Sequence, residues 1–273
     1  MAAAARGRGR GRGGFGVPKP GKPGEKSEQQ ADISTEKSSN EFDLTKVLND
    51  LGENTLDTQV KEISHHISQS SSSTKLKDVV DHLIQRTIKK SYFAPLAAKV
   101  ANKLCSDESF GIAFRGDLLK STQEQYKKRE SIRANSTSEW IGLACFICEL
   151  FRHLRTGEAP LRPLAAAVHQ TLSELLSSEG QNDNNDEELE EDEIDCFYEN
   201  FKGVGFLLET VNQEKAEELL GMMRDTILSD NSSAKTRCLL LEMLEFHARQ
   251  GKISSKVEDY FSDKLAEIMA NEL

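Results

Sequence analysis

The chain has 273 residues, with 35 Lys and Arg against 45 Asp and Glu and a formal charge of −10. That length suits one good-sized core or a short helical solenoid and leaves little room for two unrelated compact domains. No apolar run approaches the roughly 18 residues of a membrane span, and Met1 to Ala5 leads straight into arginines, so neither a span nor a secretory signal is expected.

The first segment is the exception to the acidic balance. Residues 1–26 hold seven Lys and Arg, namely Arg6, Arg8, Arg10, Arg12, Lys19, Lys22 and Lys26, against Glu25 alone, a surplus of 6 that leaves −16 on the rest. Arg6 to Gly14 reads RGRGRGRGG. With almost no apolar side chains it cannot offset the entropy of folding and is expected to be a disordered arm. Flexible guanidinium groups pair bidentately with phosphate oxygens, so RNA is the expected partner of Arg6, Arg8, Arg10 and Arg12, weakly selective and salt-sensitive. The bland alternative is a solubilising tail. Lys26 to about Asn40 is polar and Ser-rich, a linker.

From Phe42 the pattern turns helical. Phe42, Leu44, Val47, Leu48 and Leu51 form one short amphipathic piece, and Leu56, Val60, Ile63 and Ile67 another, before the Ser70 to Ser73 run. Residues 41–73 thus read as short accessory helices, either a hairpin or a partner-binding segment. A main domain over 74–273 starts at Thr74, where Leu76, Val79, Val80, Leu83, Ile84 and Ile88 share one helical face. Pro95 opens the next helix, with Leu96, Val100 and Leu104 behind it. One long helix is then expected from about Ile112 through Phe114, Leu118, Leu119, Thr122, Tyr126 and Ile132. Ser136 and Glu139 form a capping box ahead of Trp140 to Leu154, which is apolar almost all round and reads as a buried central helix.

Pro163 begins another helix with Leu164, Ala167, Val168, Leu172, Leu175 and Leu176 on one stripe. A polar acidic loop follows, Gly180 to about Glu191. Helices then come over Ile194 to Leu208, Gln213 to Ile227 and Ser232 to Arg249, with Ser255 and Glu258 capping a last one. No strand is expected. Pairs restart near Ile112, Arg162 and Gln213, a spacing of about 40 to 50 residues that fits two-helix HEAT-type repeats. The fold class is therefore all-α, a HEAT-like solenoid of antiparallel helix pairs with a disordered N-terminal arm, a helical bundle being the alternative.

Several residue runs point to a family. Phe114-Arg115-Gly116-Asp117-Leu118-Leu119, Gln125-Tyr126, the basic stretch Lys127 to Arg133 and Trp140 to Phe151 together resemble the middle domain of eukaryotic initiation factor 4-gamma. The resemblance continues through Glu193 to Cys196, Gly203-Val204-Gly205, Met223-Arg224-Asp225 and Leu239 to Phe246, over about Leu76 to Gly251. It is greatest to the small stand-alone members, of the type that interacts with the histone-mRNA stem-loop-binding protein. The poly(A)-binding-protein-interacting type is more distant. The resemblance implies a HEAT-like fold, no catalysis, and an adaptor that links messenger RNA ends to the initiation machinery. Its implied partners are the translation initiation scaffold, the stem-loop-binding protein and a DEAD-box helicase, with homodimerisation common among small members. The RG arm is outside that family pattern. A Leu and Phe-Pro anchored peptide, by which the poly(A)-linked relatives grip their partner, has no match here, which favours the stem-loop type.

Other chemistry is poorly supported. Cys145-x-x-Cys148 has no second pair or spaced His to complete a zinc or redox site and lies in the most apolar helix, so buried structural thiols are expected. The 5 cysteines, an odd number among apolar residues, suit reduced thiols in cytoplasm and nucleus. Gly203-x-Gly205 follows no strand, and His65, His66, His82, His153, His169 and His247 stand at no catalytic spacing. No cofactor, metal or enzymatic activity is expected. Two charged surfaces remain. Arg115, Lys120, Lys127, Lys128, Arg129 and Arg133 against Asp117, Glu124 and Glu130 give a basic ridge for RNA or an acidic partner, or only a solvated face. The acidic stretch with Asp183, Asp186, Glu187, Glu188, Glu190, Glu191, Asp192, Glu193 and Asp195 reads as a solvated insert, as a counterpart that folds back on the arm, or as an edge that repels nucleic acid.

Overall fold

The computed structural model describes residues 43–69, 73–177 and 190–271. The RG arm and residues 178–189 of the acidic loop lie outside the described residues.

Two short elements come first, α1 (Leu44–Asn49), whose N-cap Asp43 accepts from the Lys46 N–H, and α2 (Leu56–Ser68). They bury Leu48, Leu51, Val60, Ile63 and Ile67 in the same hydrophobic cluster as the helices that follow. The sequence set 41–73 apart from a domain beginning at 74, whereas the packing places α1 and α2 on the main core. The guanidinium of Arg86 donates to the Leu48 carbonyl, fixing α1 against α3 (Ser73–Lys89).

α4 (Ala94–Cys105) carries Pro95 in its first turn, where the missing N–H costs nothing. α5 (Gly111–Tyr126) and α6 (Arg129–Asn135) replace the single long helix read from sequence. The chain breaks at Lys127-Lys128, which the apolar period alone did not reveal because Tyr126 and Ile132 both remain half-buried against the core. Ile112, counted there as a core position, is 92% exposed. The packed face of α5 is instead Gly111, Phe114, Leu118, Ser121 and Thr122. Gly111 sets that face, since a Cβ there would lie 2.5 Å from the Cys105 carbonyl oxygen.

α7 (Thr137–His153) is the centre of the molecule. Ser136 accepts the Glu139 N–H at 3.2 Å, as a cap should, and Trp140, Leu143, Phe146, Leu150 and Phe151 are wholly buried. It packs on α3, α4, α5, α6, α8 and α9. Its approach to α3 is so close that a Cβ at Gly142 would sit 2.3 Å from the Ile88 carbonyl oxygen, a distance no side chain tolerates.

After α7 a two-residue antiparallel ladder pairs β1 (Arg155–Thr156) with β2 (Ala159–Pro160) around Gly157 at φ 64°. No strand was expected; a hairpin this short has no period to read. Pro163 lies in the 3-10 turn Arg162–Leu164 that opens α8 (Ala165–Leu175). α9 (Glu191–Val211), α10 (Gln213–Leu228), α11 (Ala234–Ala248) and α12 (Ser255–Asn271) complete the chain. The cap of α12 is Ser254 rather than Ser255, its carbonyl accepting the Val257 and Glu258 N–H groups.

Every substantial helix contact joins elements no more than four apart in chain order, from α1 on α2 and α3 to α11 on α12. That is the packing of a solenoid, in which each layer is held by its neighbours. Among the described residues no helix is long and apolar enough to cross a membrane.

Candidate functional site

The structure breaks the basic ridge into two groups with different work. Lys120, Lys127 and Lys128 are exposed, and no ion pair holds them among the described residues. The arginines turn inward. Arg129 Nε donates to both carboxylate oxygens of Glu174 at 2.9 and 3.1 Å, and its guanidinium carbon lies 4.6 Å from the centre of the Tyr126 ring. Arg133 Nε donates to Glu193 Oε1 at 2.8 Å, while its Nη2 donates to the Ser177 carbonyl at 2.8 Å and to the second Glu193 oxygen. Arg115 is half-buried, and its charge opposes the rise that burial gives the Cys105 thiol.

These pairs explain why the ridge cannot act as six free cations. Glu193, read from sequence as part of a solvated acidic stretch, lies instead in the first turn of α9 at 2% exposure, and burial raises its carboxyl above the ordinary range although Arg133 pulls it down. A buried carboxylate needs its partner, so Arg133 is fixed to α9. Arg129 likewise ties the break between α5 and α6 to the end of α8.

Arg129 also closes one end of a groove that the sequence did not announce. The groove runs between α5, α7 and α8 and encloses about 800 Å³. Leu119, Tyr126, Ile147 and Leu164 supply apolar walls, and the small Ala166 and Ala167 leave the space open. Lys120 stands at the rim, and the Thr122 hydroxyl lies in the lining, buried without a hydrogen-bond partner. Burial pushes the Tyr126 phenol up to about 12, so it stays a neutral hydroxyl at physiological pH. Apolar walls, one unsatisfied polar group and a cationic rim fit a bound peptide segment, the usual composition of a protein-docking groove. The sequence hint was the run Ala165-Ala166-Ala167, small side chains on a helix that otherwise faces bulky ones. Only tertiary packing shows what they face.

No cluster of three or more His, Cys, Asp or Glu able to hold a metal occurs among the described residues. Cys148 is 1% exposed in α7, and the sulfur of Cys145 lies beside that of Cys196 on α9.

A stack of helix pairs, with an apolar, cation-rimmed groove opened between α5, α7 and α8, defines a helical-repeat scaffold. The pattern that characterises the MIF4G domain matches residues 41–250, and the chain belongs to that family, the middle-domain family of initiation factor 4-gamma. The MIF4G domain-containing protein B of Danio rerio is 30% identical, over 71% of this chain and 86% of its own length. The CBP80/20-dependent translation initiation factor of Xenopus tropicalis is 28% identical over 82% of this chain, which spans 38% of that larger protein. The MIF4G domain of a Trypanosoma cruzi translation initiation factor overlays with a TM-score of 0.47 at 17% identity, covering 81% of this chain and 96% of that one.

Proposed function

We propose that this protein is a non-catalytic adaptor in messenger RNA translation, of the type that joins the histone-mRNA stem-loop-binding protein to the initiation machinery. Membership of the MIF4G family and a relative named as a translation initiation factor support the translational role. The observation that carries the adaptor reading is the groove between α5, α7 and α8, a prepared place for a protein segment with no reactive group converging on it. The arm, through Arg6, Arg8, Arg10 and Arg12, supplies weakly selective RNA contact, and Lys120, Lys127 and Lys128 extend the positive surface beside the groove.

The test is a capture experiment in nuclease-treated extract with the full chain, with Met1 to Lys26 deleted, and with Ala166→Trp, which fills the groove from an exposed position. Purified stem-loop-binding protein and poly(A)-binding protein serve as alternative baits. The adaptor reading expects capture of the stem-loop-binding protein to survive arm deletion and to fall at least about tenfold with Ala166→Trp. Capture of the poly(A)-binding protein instead would move the assignment to that type of regulator. Loss of all partners on nuclease treatment, or on arm deletion, would leave a general RNA-binding protein whose helical domain is a platform for dimers.

A further inference from the structure

The sequence drew attention to Cys145 and Cys148, three apart on one helix. The fold brings Cys145 to a different thiol, 51 residues on. Cys145 Sγ of α7 lies 3.8 Å from Cys196 Sγ of α9, across one of the most extensive helix contacts of the molecule. The side-chain amide of Asn200, itself buried, donates to both sulfurs, at 3.4 Å to Cys145 and 3.3 Å to Cys196. A 2.7 Å bond from the same nitrogen to the Cys196 carbonyl keeps it there. A buried amide directed at two touching sulfurs is not needed for packing, since a pair of apolar side chains would fill the same space.

We propose that Cys145 and Cys196 form an oxidative modification site, a dithiol that hydrogen peroxide or a related hydroperoxide converts to a disulfide linking α7 to α9. The division of labour follows from exposure. Cys145 is half-buried and within reach of a small oxidant, whereas Cys196 is 6% and Cys148 1% exposed. The hydrogen bond from the Cys196 thiol, with help from Asn200, holds the Cys145 thiol below its ordinary range, and burial pushes Cys148 well up. Cys145 is therefore the attacking thiolate. Its sulfur takes the distal peroxide oxygen, the O–O bond breaks, and the departing hydroxide picks up a proton to leave as water with a sulfenic acid on Cys145. The Cys196 sulfur then attacks that sulfenic sulfur. The S–O bond breaks, the hydroxide leaves as water with the Cys196 proton, and the S–S bond forms. Two thiols lose two electrons and two protons, and one peroxide becomes two waters.

The geometry requires the sulfurs to close from 3.8 Å by roughly 1.8 Å, a change within reach of side-chain rotation and a small adjustment of two packed helices. The result would lock the interface on which α8 also rests, since α8 packs against both α7 and α9 and carries one wall of the groove. Cys105 on α4 and Cys238 on α11 have no such neighbour; the Cys238 thiol faces the Phe261 carbonyl at 4.0 Å.

The full-length reduced protein, titrated with hydrogen peroxide, alkylated and mapped by mass spectrometry, decides the matter. The expected product is one reductant-reversible cross-link between the peptides bearing Cys145 and Cys196, an intact mass lower by about 2 Da, and a melting temperature raised by several degrees. Cys196→Ser should strand the reaction, leaving Cys145 as a sulfenic acid trapped by dimedone, and Cys145→Ser should leave Cys196 unmodified, with circular dichroism reporting whether each variant is folded. The wild-type map stands even if a variant unfolds. A Cys145–Cys148 link, sulfinic acid on Cys145 without any cross-link, or oxidation of Cys105 and Cys238 first would each overturn the assignment.

Discussion

At the scale of single residues the ion pairs of this protein differ by where they sit rather than by how many there are. Lys99 with Glu53 and Lys103 with Asp57 join α4 to the region of α2, but all four side chains are well exposed, and water competes with each bond. Arg133 and Glu193 are 11% and 2% exposed, and neither can be rehydrated if its partner is removed. Arg133→Ala is therefore expected to cost about 3–5 kcal/mol near neutral pH, read from urea unfolding, whereas Lys99→Ala should hardly move the midpoint. The pH dependence gives a second reading of the same contact. Glu193 is raised in the folded state, so its favourable contribution is present below the unfolded pKa and is lost as pH rises through the folded one. Without Arg133 the rise is larger. The gap between variant and wild type should then widen from about pH 4.5 to pH 7; a gap constant over that range would mean that Glu193 does not sense Arg133. The basic character of Arg129 and Arg133 was plain in the sequence, but their acidic partners lie 45 and 60 residues away, and no local pattern separates a buried pair from a solvated face.

At the scale of elements, legibility followed how completely an element was determined by its own residues. α7 was readable because its cap and its burial are both local: Ser136 stands three before Glu139, and apolar side chains cover nearly every face. Ser136→Ala should accordingly destabilise the protein by about 1 kcal/mol, measured as a shift in urea midpoint with unchanged slope. A loss several times larger would show that Ser136 does more than cap. The junction of α5 and α6 was not readable, because Tyr126 and Ile132 keep to one helical period across a break that Arg129 and Glu174 stabilise from outside. Ile112 failed for a related reason: the close approach of Gly111 to the end of α4 turns α5 about its axis, and Ile112 faces solvent. The groove belongs to the same category. Its walls come from three helices, and the space exists because Ala166 and Ala167 are small where Leu119 and Ile147 face them.

At the scale of the whole molecule the solenoid arrangement makes stability a property of neighbours, and the one substantial contact of α12 is with α11. α12 packs against α11, buries none of its 17 residues fully, and meets the cluster mainly through half-buried Leu265. Its Lys264–Glu267 pair is internal to the helix and exposed, so it adds nothing to docking. The family match ends at residue 250, before α12 begins, consistent with a core that closes at α11. A helix held on one side by few apolar contacts opens on its own, whereas α7, enclosed by six other helices, opens only when the whole unit does. Native-state hydrogen exchange should therefore show amides of α12 exchanging at least about a hundredfold faster than those of α7. Urea at low concentration should change the rates of α7 long before it changes those of α12, since only global opening exposes enough surface to respond. Equal protection in the two helices would mean that α12 is bound into the cooperative unit by contacts stronger than its burial implies, and that the capping layer of this scaffold is α12 itself rather than α11.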